Sequence, residues 1–198
     1  MRATDNSGNY VDDLSRATEV GTTYKIEWVS VPDRDAATLS TRKQAFAKPV
    51  THGQKLEGAW WGDHGSYIVA SFARSADGSP VPHDGQVWFV DPKKQTMSLT
   101  LRFGINPDYA ADGGFDGPDN ISVSSWGGVI MAEDGVGMQH LIGVNDQGEA
   151  YQIARNQLDD NEFTGPVFSP DKRILFANAQ TPGIMYAITG PWQVNPKF

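Results

Sequence analysis

Four carboxylates stand at the ends of short apolar runs in this chain. They are Glu57 in Leu56-Glu57-Gly58, Asp119 in Pro118-Asp119-Asn120, Glu133 in Glu133-Asp134-Gly135, and Glu162 in Glu162-Phe163-Thr164-Gly165. Hard cations such as calcium take carboxylate oxygens, so several such groups brought together make a metal site. The charge distribution points the same way. The formal net charge is -8, from 16 Lys+Arg against 24 Asp+Glu. Eight carboxylates lie between Arg102 and Arg155 with no Lys or Arg among them. Like charges without counterions repel, so they either sit on solvated loops or share a bound cation.

Composition excludes other chemistry. There is no cysteine, so disulfides, thiolate zinc sites and cysteine nucleophiles are absent from these residues. The acid excess argues against nucleic acid, whose phosphates need clustered Lys and Arg. No apolar run reaches the ~18 residues of a membrane span. The polar opening Met1–Ser15 does not read as a signal peptide. The histidines, at 52, 64, 83 and 140, show no ligand spacing, and His64 and His83 read as solvated turn residues. No Gly-x-Ser-x-Gly elbow occurs.

The elements that must position the acids are strands. Short runs rich in β-branched and aromatic residues cover 24–31, 67–72, 86–90, 97–103, 128–132, 140–144, 150–154, 174–177 and 184–188. Turn chemistry separates them, as in Asp84-Gly85, Asp91-Pro92 and Ser169-Pro170-Asp171. The best helical candidate is 34–46. The chain is therefore read as all-β.

Three stretches share one plan: acid, short strand, tight turn, apolar strand, loop, third strand. They start at Glu57, Asp119 and Glu162, which are 62 and 43 residues apart. A spacing of ~40–50 residues is that of propeller blades. We therefore expect about three to four antiparallel meander blades, at 57–103, 119–156 and 162–192, with 1–20 flexible. Antiparallel return would set Glu57 beside Ser71, Asp119 beside Glu133, and Glu162 beside Asn178. Asn120 and Asp134 would add polar groups at the same channel mouth. The alternatives at this point are acids that merely satisfy turn amides, and a water-filled polar channel. Blades too few for a ring leave open edges, which invite self-association or pairing with missing blades.

In this order the motifs resemble the PhoX-type alkaline phosphatases, secreted bacterial β-propeller proteins. Further carriers are Phe168-Ser169-Pro170-Asp171, Asn178-Ala179-Gln180, Pro182-Gly183 and Ala187-Ile188-Thr189-Gly190-Pro191-Trp192. The resemblance implies a metal-dependent phosphomonoesterase acting on small phosphate esters, in the periplasm or outside the cell. It implies calcium, with Glu57, Asp119, Glu133 and Glu162 as metal carboxylates. Two residues before the Glu-Gly glutamate the family usually has Arg; here Lys55 stands there as the candidate phosphate contact. Lysine keeps the charge but lacks the two-pronged fork of Arg. Family members are much longer, and their iron-ligating cysteine lies outside the part this chain resembles, so iron would need that part supplied.

Two other function classes fit the same pattern: a non-catalytic propeller module binding calcium or a protein, and a calcium-dependent lactone or sugar-ester hydrolase. The stretch Asp112-Gly113-Gly114-Phe115-Asp116-Gly117-Pro118-Asp119 is spaced like a calcium loop but lacks the full EF-hand pattern. Trp60, Trp61, Trp88 and Trp126 read as blade packing.

Overall fold

The computed structural model describes residues 1–111, 114–124, 126–145 and 147–192. Asp112 and Gly113 lie outside these, so the calcium-like loop is only partly described.

Nearly all regular structure is β, in three antiparallel sheets. The first contains β1 (Arg2–Thr4), β2 (Tyr10–Val11), β3 (Thr23–Glu27), β4 (Leu56–Trp61), β5 (Ser66–Ala70), β6 (Gly85–Asp91) and β7 (Thr96–Phe103). Its order is β2-β1-β3-β7-β6-β5-β4. The second is β8 (Pro118–Val123), β9 (Val129–Glu133), β10 (His140–Val144) and β11 (Ala150–Arg155), paired in sequence order. The third is β12 (Phe163–Phe168), β13 (Ile174–Ala179) and β14 (Ile184–Thr189). Each strand expected from the apolar runs is present. The helical candidate shrinks to α1 (Thr41–Phe46). Residues 1–20, expected to be flexible, instead contribute β1 and β2, and Ala3 is fully buried. Their strands are too short to register as a periodic signal.

Alternation makes the sheets two-faced. Along β7, Met97, Leu99, Leu101 and Phe103 turn inward while Thr96, Ser98, Thr100 and Arg102 turn outward. By contrast, β9 and β10 are buried throughout, because the second sheet is covered on both sides. Val69, Val87, Leu101 and Phe103 of the first sheet meet Ile121, Met131 and Ile142 of the second. On the other face Ala132 and Leu141 meet Phe163 and Ala177 of the third sheet. The first strands of the three meanders are neighbours: β4 contacts β8, and β8 contacts β12. No closed ring forms among the described residues.

One irregularity recurs in all three sheets. The register shifts by one residue between Leu56 and Ala59, between Pro118 and Ile121, and between Thr164 and Val167. Each is a β-bulge near the start of a first strand, which re-aims the side chains that precede and occupy it.

Candidate metal centre

The bulges decide which acids meet. In the first two sheets the bulged pairs are Glu57-Gly58 and Asp119-Asn120. In the third the equivalent pair is Gly165-Pro166, so Glu162 lies three residues before it. The expected pairings are shifted accordingly. Ser71 donates its N–H to the Lys55 carbonyl, Pro118 faces Glu133, and Thr164 faces Asn178. Glu162 instead accepts, through its carbonyl, the Gln180 N–H.

Despite that offset, Asp119, Asp134 and Glu162 converge. Each offers a carboxylate oxygen within 4.8 Å of the others, and all three are half-buried. Asp119 comes from the bulge of β8, Asp134 from the turn just after β9, and Glu162 from the residue just before β12. Lys55 closes the group from the first sheet. Its Nζ lies 2.9 Å from Asp134 Oδ2 and 3.5 Å from Glu57 Oε1, and donates to Ser71 Oγ at 3.3 Å. Asn120 joins the second and third sheets: Nδ2 donates to Asp119 Oδ1 at 3.2 Å, and Oδ1 accepts the Gly165 N–H at 2.6 Å. Asn178 lies further along, donating to the Thr164 carbonyl at 3.3 Å.

Glu133 faces elsewhere. It is buried beneath the cluster, where Oε1 accepts the Asp116 N–H at 2.7 Å and Oε2 accepts the His140 N–H at 2.7 Å. His140 Nδ1 lies 2.6 Å from the same Oε2. Successive strand residues point to opposite faces, so Asp134, not Glu133, presents its carboxylate with Asp119 and Glu162. The sequence marks Asp134 only as a polar neighbour and Asp116 only within a calcium-loop-like stretch, and gives His140 no role. His83, read as a solvated turn residue, is also buried.

Close approach of the strands needs glycine at position 58. A methyl group there would overlap the Asp119 carbonyl oxygen and crowd the Ile121 nitrogen. The glycine of the Glu-Gly pair thus lets β4 lie against β8, bringing Lys55 and Glu57 to the cluster.

The electrostatics are those of a site short of positive charge. Burial, followed by the Glu57 charge, pushes Asp119 above the usual carboxylate range. Burial, then Asp134 and Asp119, pushes Glu162 up. For Lys55, burial works downward, but the hydrogen bond and charge of Asp134, with Glu57 and Asp119, raise it overall. One ammonium serves four carboxylates. An all-oxygen donor set of this kind fits a hard cation such as calcium.

At the opposite ends of β4, β8 and β12 lies an aromatic cleft. It is lined by Trp60, Trp61, Tyr67, Trp126 and Phe168. Trp126 stacks on Trp192 with ring centroids 5.8 Å apart, while Trp61 is 62% exposed, unlike the fully buried Trp88.

An all-β chain with a carboxylate cluster at the starts of its first strands is the setting in which the family match falls. The family profile described as Alkaline phosphatase PhoX matches residues 4–183. The chain belongs to that family of alkaline phosphatases. Among individual curated proteins none matches it.

Proposed function

We propose that this chain provides the cation-holding face of a metal-dependent phosphomonoesterase that hydrolyses small phosphate esters. The observation that carries the reading is the convergence of Asp119, Asp134 and Glu162 from two sheets, beside Lys55 from a third, in a chain of this family. Asp119, Asp134 and Glu162 would hold calcium, with Glu57 adding charge at the rim. Bound there, a divalent cation supplies Lewis acidity and neutralises charge on a phosphoryl group. The chain's own groups do the rest. Asn120 fixes the Asp119 carboxylate and ties β12 to β8, so the ligand oxygens are held in advance. Lys55, rooted by its contact with Asp134, offers an ammonium for a phosphate oxygen to meet. Its single point charge guides the anion without the two-point grip of a guanidinium.

The absence of thiolate and the all-oxygen cluster favour calcium; iron would need donors from outside this chain. The export typical of the family supports a periplasmic or secreted setting. Among the described residues β14 pairs only with β13, which supports a free edge for further blades or a second copy.

The test is hydrolysis of p-nitrophenyl phosphate by the 198-residue chain with and without added calcium. Calcium-dependent turnover lost in both Asp134→Asn and Glu162→Gln is the expected result. A calcium-dependent rise in melting temperature without turnover would instead select the non-catalytic calcium-binding module. Turnover insensitive to calcium and to both substitutions would reject the site.

A further inference from the structure

We infer that Asp116 and Glu133 are positioning residues that set the spacing of the Asp119 and Asp134 carboxylates for cation binding. This rests on the metal reading above, but on separate contacts. Two chain segments must be aligned for those carboxylates to meet: the entry to β8, residues 116–119, and the turn after β9, residues 133–136. Both buried acids bridge these segments. Glu133 Oε1 accepts the Asp116 N–H at 2.7 Å, fastening the first segment to the second. Its other oxygen accepts the His140 N–H at 2.7 Å, fastening the far end of the turn. Asp116 returns the contact: Oδ1 accepts the Val136 N–H at 3.1 Å, while Oδ2 accepts Asn106 Nδ2 at 3.3 Å.

Backbone geometry shows that the crossing is built for this. The Asp134 N–H donates to the Gly117 carbonyl at 2.9 Å, and the Gly117 N–H to the Asp84 carbonyl at 2.7 Å. Gly117 has φ +49°, and a methyl group there would collide with the Gly135 backbone. A methyl group on Gly135 would collide with Asp116 Oδ1. Two glycines therefore allow the segments to touch, and two carboxylates lock them. Neither acid belongs to the converging group of Asp119, Asp134 and Glu162. Their effect on it passes through the main chain of Asp119 and Asp134, as supporting contacts do for ligands at metal sites.

The experiment compares Asp116→Ala with Asp116→Asn in the full chain, with Glu133→Gln as a second probe. Calcium affinity is measured by calorimetric titration, and amide hydrogen exchange at 134–136 is measured without metal. Asp116→Ala should speed exchange at those amides and weaken calcium binding about 10-fold, the lower end for supporting contacts at metal sites. Asp116→Asn keeps an acceptor for Val136 and should restore both. Glu133→Gln presents a donor to buried N–H groups and should behave like the alanine variant; if it does not fold, the Asp116 pair still decides. Calcium binding by the wild type that is undiminished in Asp116→Ala would overturn this inference alone. No saturable calcium binding by the wild type would overturn the metal reading and this inference with it.

Discussion

The Lys55 ammonium lies 2.9 Å from the Asp134 carboxylate, joining the first and second sheets across 79 positions of sequence. The contact puts a cation inside a group of four acids. It partly offsets their repulsion and competes for an oxygen that a metal would use.

Removing that cation should therefore have two opposite effects. Lys55→Gln should destabilise the metal-free protein slightly, by less than about 1 kcal/mol, because the pair is partly exposed and screened. It should tighten calcium binding several-fold by freeing Asp134. Urea unfolding and calorimetric titration check both parts; unchanged or weaker calcium binding would count against a cation site built on Asp134.

His83 should make stability fall in mild acid. It is buried, and its Nδ1 accepts the Gly85 N–H at 3.0 Å, which only the unprotonated nitrogen can do. Burial, with the Arg102 charge next, lowers its pKa from 6.5 to about 4. A lowered folded-state value means that the unfolded chain takes up the proton first. Its contribution is complete above about pH 6.5 and is lost as pH falls towards 4. The full loss is on the order of 3 kcal/mol. The raised Asp119 and Glu162 act with the opposite sign, their folded forms holding protons longer as pH rises. The comparison is therefore between wild type and His83→Asn, unfolded in urea from pH 7 to pH 4. The variant should lose stability at pH 7 yet show a flatter decline; equal slopes would exclude His83 as the source.

Gly58→Ala should separate β4 from β8. The added methyl meets main-chain atoms, which cannot move aside as a flexible side chain would. A loss of about 1–3 kcal/mol is expected, as for other overpacked sites. Calcium binding should weaken as well, because the methyl presses on the main chain of Asp119 and Asn120, which holds the Asp119 carboxylate in place. Thermal unfolding together with calcium titration checks this. A variant as stable as wild type would show that the strands have room to part.

Much of the architecture could be read from local pattern. The apolar runs and their turn residues marked the strands of all three meanders, because alternation and turn chemistry are properties of neighbouring residues. The strands β1 and β2 were not legible: three and two residues carry no period, and their place depends on pairing with β3. Motif order singles out Glu57, Asp119, Glu162 and Lys55; in the structure Asp119 and Glu162 share a cluster with Asp134, and Lys55 lies 3.5 Å from Glu57. The exchange of Glu133 for Asp134 was beyond reach of the sequence. Adjacent acids look equivalent until strand register decides which faces the core.

The sequence by itself determined an acidic, cysteine-free, all-β chain whose motifs carry the family and which offers carboxylates at the starts of its first strands. Tertiary structure alone decided which of those carboxylates meet. The one-residue bulge of β8 and the crossing of Gly117 with Gly135 bring Asp119 and Asp134 together with Glu162, which precedes the bulge of its own strand, while Glu133 turns inward to His140. The reason is physical: a strand alternates its side chains every residue, so a single inserted residue reverses a facing that no local pattern records.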